Sequence, residues 1–319
     1  MRRSVLIALL VAAAAVLTVA PPVAAKVSAS KQRNAPLEAA QPASAVSTGV
    51  LSSATQHVAA TLSTLTHNPV VLSAAVEHII AASGGSAGVT LIELGGAGPV
   101  TWSYDGNAIF TAASTYKLAA LMMEAQNIAA GRTHPNGVVC FEADDYEEGW
   151  YADYAQGACF TRNDLAWRAG IKSDNTAGHM LVRDVGGSDA LNAWAAAHGA
   201  KSSSLFDVNT TTSNDLAALW AAEARGDLGG AAAEAWLYPA LTGTATENGI
   251  PSGVAGGITV VHKKGAIDLV QNDAALVSGP DGGYVLTVMT DGIGGDAGWQ
   301  LIAAISSSVW QFESSRPKI

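Results

Sequence analysis

Cysteine is nearly absent from this chain: Cys140 and Cys159 are the only two in 319 residues. The seven histidines do not make up for it, because none stands in an H-x-x-x-H or comparable ligand spacing. A zinc hydrolase therefore finds little support, and neither a metal nor a cofactor is expected. His179 and His262 read instead as packing or local hydrogen-bonding residues. Positive charge is also scarce, with 17 Lys and Arg against 27 Asp and Glu and a formal net charge of −10. That balance disfavours nucleic acid and anionic membrane surfaces as partners. It leaves room for an anionic small molecule, since a few lysines focused in a cleft override the global sign. Charged residues make up only 14% of the chain and hydrophobic ones 49%, which describes a globular protein with a substantial core.

The first residues read as an export signal. Arg2 and Arg3 supply a positive start, Val5 to Ala20 an apolar run, and Val23-Ala24-Ala25 a small-residue cleavage site. The apolar run is short for a spanning helix, so residues 1–25 are read as a signal peptide, with an uncleaved anchor as the alternative. A secreted, extracytoplasmic protein of the cell envelope is expected, without stable membrane insertion once the signal is removed. In that compartment two cysteines favour one disulfide, Cys140–Cys159, over two free buried thiols. Residues 26–69 are rich in Ala, Ser, Thr, Gln and Pro and read as a flexible linker, part of 50–66 being helical.

From Pro69 the pattern becomes that of a folded domain, spanning 70–314 with a short tail at 315–319. Helical periodicity runs from Pro69 to about Ala82 and from Ser114 to about Ala130. It resumes over Asn163–Ile171, Thr176–Val185, Asp189–Ala197, Ser213–Glu223 (with Ser213 as its cap), Gly230–Tyr238 and a last helix through Trp299 and Phe312. Strand patterns fall at Val89–Leu94, Val100–Tyr104, Ile258–Lys264, Asp273–Ser278 and Tyr284–Thr290. Two strands near the start and three near the end predict an α/β fold of the α+β sandwich type. Its antiparallel sheet of about five strands draws on both chain ends and is flanked by the first and last helices. The helical middle forms an inserted, all-helical lobe, and the cleft between lobe and sheet is the natural site. Gly84-Gly85-Ser86-Ala87-Gly88 matches G-x-S-x-G, but a helix precedes it and a strand follows, the reverse of a nucleophile elbow. It reads as a plain turn.

Serine and lysine three apart on a helix share a face, which lets the amine activate the hydroxyl. That spacing occurs three times, at Ser28/Lys31, Ser114/Lys117 and Ser315/Lys318. The first lies in the linker and the third crosses Pro317. Only Ser114-Thr115-Tyr116-Lys117 opens a helix, whose free N–H groups can support a developing oxyanion. Ser173-Asp174-Asn175 stands later at the head of another helix, and His262-Lys263-Lys264-Gly265 lies on a late strand. Taken alone, the triplet is an ordinary helix cap and the lysines solvated strand charges.

In this order and context the three motifs resemble the S-x-x-K, S-D-N and K-T-G set of the penicillin-recognising serine hydrolases, most closely the class A β-lactamase branch. Asn272-Asp273-Ala274 and Tyr116-Lys117-Leu118 also look like that family's surroundings. The resemblance implies that Ser114 is acylated and that Lys117 is its base or part of the proton network. It implies that Ser173 passes a proton to the leaving nitrogen, and that Lys263 supplies a cation for Lys117 and a substrate carboxylate. Asn175, Lys264, Gly265 and Ala266 would bind substrate, with the Ser114 and Ala266 N–H groups as the oxyanion hole. A small-molecule or peptidoglycan-derived substrate and a monomer are implied with it. Two departures stand out. Lys264 replaces the middle Thr of K-T-G. The segment Ala195–Asn209, ahead of Thr210-Thr211-Thr212, holds no glutamate to activate the hydrolytic water, and Asp207 is its only carboxylate. The loop looks shortened, so either Asp207 or Lys117 activates water or deacylation is slow. Three functions remain open: a β-lactam-opening hydrolase, a D-Ala-D-Ala-type peptidase or esterase that β-lactams inhibit, and a non-catalytic cell-wall binding module.

Overall fold

The computed structural model describes residues 67–96, 99–278 and 282–316. The signal segment, nearly all of the linker with its 50–66 helix, the Ser28/Lys31 pair and Lys318 lie outside the described residues. The first helix, α1 (Pro69–Ser83), starts with proline at a position whose N–H has no helical partner, and Asn68 caps it by accepting from the Val70 N–H at 2.9 Å. Leu72, Val76 and Ile80 recur every four residues and form its buried stripe. Gly84, with φ 78°, ends it and turns the chain into β1 (Ser86–Leu94). Ser86 opens that strand and is followed by β structure rather than by a helix, as a plain turn requires.

β1 pairs with β2 (Thr101–Tyr104) on one side and with the late strand β9 (Gly283–Asp291) on the other. The sheet continues through β8 (Val270–Ser278) to β7 (Thr259–Ile267), all antiparallel, in the order β2-β1-β9-β8-β7. Both chain halves thus close one five-stranded sheet, as the strand pattern predicts. Each late strand is longer than its apolar run because pairing extends it through polar residues. Alternation sorts the central strands between two cores. Ala275, Val277, Leu286 and Val288 face α1 and the long C-terminal helix α8 (Gly295–Ser314), whose Ile302, Ile305 and Val309 are fully buried. Ala274, Leu276, Val285 and Met289 face the helical lobe.

That lobe is built around α2 (Tyr116–Ala129), where Leu118, Leu121 and Met122 have no exposed surface. Around it lie α3 (Arg162–Ile171), α4 (Asn175–Asp184), α5 (Gly187–Ala197), α6 (Ser213–Ala224) and α7 (Ala231–Leu237). α6 is buried on most sides, including all of Trp220, and carries the lobe against the sheet. Its cap is Thr212, which accepts from the Asp215 N–H at 3.0 Å, rather than Ser213. Ser213 turns inward to Thr90 at 2.8 Å, because the sheet offers a hydroxyl there.

The lobe is not wholly helical. Two short ribbons cross it, β3 (Phe110–Thr111) with β6 (Thr210–Thr211) and β4 (Val138–Cys140) with β5 (Cys159–Thr161). Such short strands leave no readable alternation. Cys140 and Cys159 stand directly opposite in the second ribbon and are bonded. Closing this loop removes about 3 kcal/mol of unfolded-chain freedom. The double replacement Cys140→Ser/Cys159→Ser is expected to lower the unfolding free energy by about that much in urea titrations. Adding reductant should bring the parent chain, but not the variant, down by the same amount.

Candidate active site

Ser114 sits in a short 3-10 turn, Ala113–Thr115, that runs directly into α2. The turn is held from two sides. Asn209, beside β6, takes the Ala112 N–H on its carbonyl at 2.7 Å and donates its amide to the Ala113 carbonyl at 3.2 Å. Asn272 on β8 donates to the carbonyls of Thr111 and Ala112 at 2.8 and 3.1 Å, and its own oxygen accepts from the Thr290 N–H at 3.0 Å. This clamp holds Ala113 at φ 48°, a left-handed conformation that costs a non-glycine residue about 1–3 kcal/mol. Gly265 on β7 presses on the same turn. A Cβ there would lie 2.9 Å from both the Ala112 oxygen and the Ser114 nitrogen. The glycine is therefore needed for contact between strand and turn within the protein. Ala266, the next residue, is exposed.

Lys117 lies one helical turn beyond Ser114 and has no exposed surface. Its Nζ reaches Ser114 Oγ at 3.0 Å, the Ser173 carbonyl at 2.7 Å and Asn175 Oδ1 at 2.5 Å. Burial pushes its pKa down to about 7; Asp174 and Glu147 pull it up and Lys264 pushes it further down. An amine that sheds its proton near neutral pH, within hydrogen-bonding distance of a hydroxyl, can take that hydroxyl's proton.

The triplet Ser173-Asp174-Asn175 points three ways. Ser173, at φ 59°, accepts on its Oγ from Lys263 Nζ at 2.8 Å. Asp174 caps α4 by accepting from the Ala177 N–H at 2.9 Å, and also takes the Tyr154 hydroxyl at 2.7 Å. Asn175 holds Lys117 with its oxygen and donates its NH2 to Glu147 Oε1 at 2.5 Å. Lys263 is likewise fully buried. Desolvation first, and then the Lys117 and Lys264 charges, hold its pKa well below the ordinary lysine value. Ser114, Lys117, Ser173, Asn175 and Lys263 thus form one connected set from three distant chain segments.

Lys264 behaves differently. Alternation turns it to the α8 side of the sheet, where Nζ donates to Thr246 Oγ1 at 2.5 Å and lies 5.9 Å from the Trp299 ring centre. His262 shares that side. Its Nδ1 is 2.9 Å from Asp273 Oδ1 and its Nε2 is 3.1 Å from Glu247 Oε1, while Asp273 also accepts from the Ile250 N–H at 2.9 Å. His262 is thus a local hydrogen-bonding residue that ties the 242–253 loop to the sheet. Among the described residues there is no His/Cys/Asp/Glu group arranged to hold a metal.

Asp207 is exposed, and among the described residues its carboxylate makes no hydrogen bond to the Ser114 set. Glu147 is the carboxylate that reaches that set. It comes from the disulfide-closed loop, where sequence alone does not single it out from Asp144, Asp145 and Glu148. The second unforeseen contributor is Asn209, whose neighbours Thr210-Thr211-Thr212 are the only linear marker of its place.

His262 also gives the frame around the site a pH dependence. Burial alone would push its imidazole down, but Asp273 and Glu247 outweigh it and hold the pKa up at about 9, against an ordinary 6.5. A raised pKa stabilises the fold fully below 6.5, and that contribution is lost as pH rises through 9. The thermal midpoint is therefore expected to fall across this window, and His262→Asn to flatten the slope. A parent chain with no pH dependence there would show that the buried imidazolium does not carry the loop.

A family model described as the beta-lactamase enzyme family matches residues 70–312. The solved structure of PBP-A superposes with a TM-score of 0.69 at 25% identity, covering 75% of this chain and 96% of that one. A beta-lactamase from Sphaerobacter thermophilus gives 0.69 at 26% identity over 76% and 98% of the two chains. A point mutant of PBP-A, solved as an acyl-enzyme complex with penicillin G, gives 0.70 at 25% identity over 76% and 96%. A sequence search of curated proteins returns no match.

Proposed function

Because the chain belongs to the beta-lactamase enzyme family, we propose that it is an exported serine hydrolase that opens β-lactams or related cyclic amides through an acyl-enzyme on Ser114. The observation that carries this reading is Lys117. It is fully buried, bonded to the Ser114 hydroxyl, and titrates near neutral pH. In the neutral form it takes the Ser114 proton as the oxygen attacks the substrate carbonyl. The Ser114 and Ala266 N–H groups receive the developing oxyanion. Ser173 hands a proton to the leaving nitrogen, and Lys263, bonded to Ser173 Oγ, steadies that transfer. Asn175 holds Lys117 and presents its amide to the substrate, while Lys264, turned to the α8 side and bonded to Thr246, acts on the site only through its charge.

A second reading, a D-Ala-D-Ala-type peptidase or esterase that β-lactams acylate and block, rests on one feature. The segment Ala195–Asn209 supplies only Asp207, which is exposed and does not engage the Ser114 set. A water at the acyl group then has no fixed carboxylate on that loop to activate it, and deacylation is slow. A binding module without catalysis would not need a buried neutral amine on a serine.

A fluorescent penicillin is expected to label Ser114, with Ser114→Ala losing both labelling and turnover. Folded, unlabelled parent protein would remove the mechanism. Labelling should accelerate as pH rises through about 7, because Lys117 must lose its proton. Nitrocefin kinetics separate the two readings: a burst of about one equivalent followed by a near-zero steady rate marks slow deacylation, and sustained turnover marks a β-lactamase.

A further inference from the structure

Glu147 lies on the disulfide-closed loop, its side chain 51% exposed, yet it is gripped at every polar atom by the N-terminal half of α4. The buried Thr176 hydroxyl accepts from the Glu147 N–H at 3.0 Å and donates to the Glu147 carbonyl at 2.8 Å. One carboxylate oxygen takes the Asn175 NH2, and the other lies 3.3 Å from His179 Nε2. The loop itself is fastened on both sides of this residue. Arg183 bridges Asp145 at 2.8–2.9 Å and the Cys140 carbonyl at 2.7 Å. Asp174 takes the Tyr154 hydroxyl and, at 3.3 Å, the Trp150 N–H.

The Asn175 amide is therefore used at both ends. While Lys117 is protonated, reversing it would set its NH2 against the Lys117 ammonium and its oxygen against the Glu147 carboxylate, trading two charge-assisted bonds for two repulsions. We infer that Glu147 is a positioning residue for acyl transfer: it locks the Asn175 amide with its oxygen toward Lys117 and places a negative charge behind the amine on which Ser114 depends. This rests on the acyl-transfer reading for its kinetic expression, while the geometric placement stands apart from it.

The groups that face Lys117 make the sign definite. Asp174 at the head of α4 and Glu147 on the loop favour its charged form, whereas Lys264 on β7 opposes it. Lys263 on β7 bonds to the same turn through Ser173, and the Tyr116 ring lies 5.4 Å away. Around Glu147 itself the titratable neighbour is His179, whose Nδ1 is 3.0 Å from the Asp145 carbonyl. Removing the Glu147 charge while keeping a hydrogen-bonding side chain should let Lys117 deprotonate at lower pH. Removing the side chain altogether should also free the Asn175 amide.

The test is the pH profile of acylation by a fluorescent penicillin for Glu147→Gln and Glu147→Ala, with a titration of Lys117 by NMR of lysine labelled with 13C at the ε-carbon. Glu147→Gln is expected to move the acid limb down by about half a pH unit, giving acylation about threefold faster than the parent at acidic pH and slower on the plateau. Glu147→Ala should lower the plateau about tenfold. A purely structural loss would lower the rate at every pH without moving the limb, and that outcome overturns the inference. If the parent is not labelled at Ser114, the acyl-transfer reading fails and the NMR titration alone decides. A Lys117 midpoint that falls in Glu147→Gln upholds the placement, and one that stays put overturns it.

Discussion

Two lysine amines with no exposed surface, Lys117 and Lys263, meet on the backbone turn that carries Ser173. Placing two like charges in a dry interior is costly unless one of them gives up its proton or carboxylates stand near. This chain uses both remedies. Desolvation pushes both amines down, helped by the Lys264 charge at each and by Lys117 at Lys263, while Asp174, Glu147 and Asp273 supply negative charge from other elements. The turn at Ser173 is thus the hinge of the molecule's electrostatics. β7 delivers one lysine from the sheet, α2 delivers the other from the lobe, and the loop closed by the disulfide brings the counter-charge.

That convergence explains why the fold interleaves its parts as it does. The sheet must be closed by late strands so that β7 lies against the turn leading into α2, where Gly265 leaves room for contact. Asn209 and Asn272 then hold the Ser114 turn from the lobe and from the sheet. On the far side of β7, His262 with Asp273 and Glu247 secures the edge loop that carries Thr246. The Ser114 turn is thus held both by Lys117 within the S-x-x-K motif and by residues brought to it from the lobe and the sheet.

Much of this was readable in the amino-acid order. The five strands announce themselves by runs of Val, Thr and Leu between turn residues. Ser114-Thr115-Tyr116-Lys117 stands out from two other copies of its spacing only because a helix starts there and two partner motifs follow. What escaped reading has physical reasons. Strands of two or three residues, such as β3 and β6, have no periodicity. Thr212 and Ser213 are equally good caps on paper, and only the sheet's Thr90 decides between them. Gly265 reads as room for a ligand, whereas the room is taken by the protein's own turn. Glu147 is one of several acidic residues on a loop, and its distinction lies wholly in Thr176, Asn175 and His179 across the fold.

The close fit at Gly265 divides β7 into positions that can and cannot change. Any side chain there must displace the Ser114 turn, whose backbone is already pinned by two asparagines, so this point is closed to variation. Its neighbours are not. Lys264 turns to the α8 side, where it bonds Thr246, and Ala266 is open to solvent. Change along this stretch of β7 is therefore channelled into the two residues flanking an immovable one, leaving the geometry around Ser114 untouched.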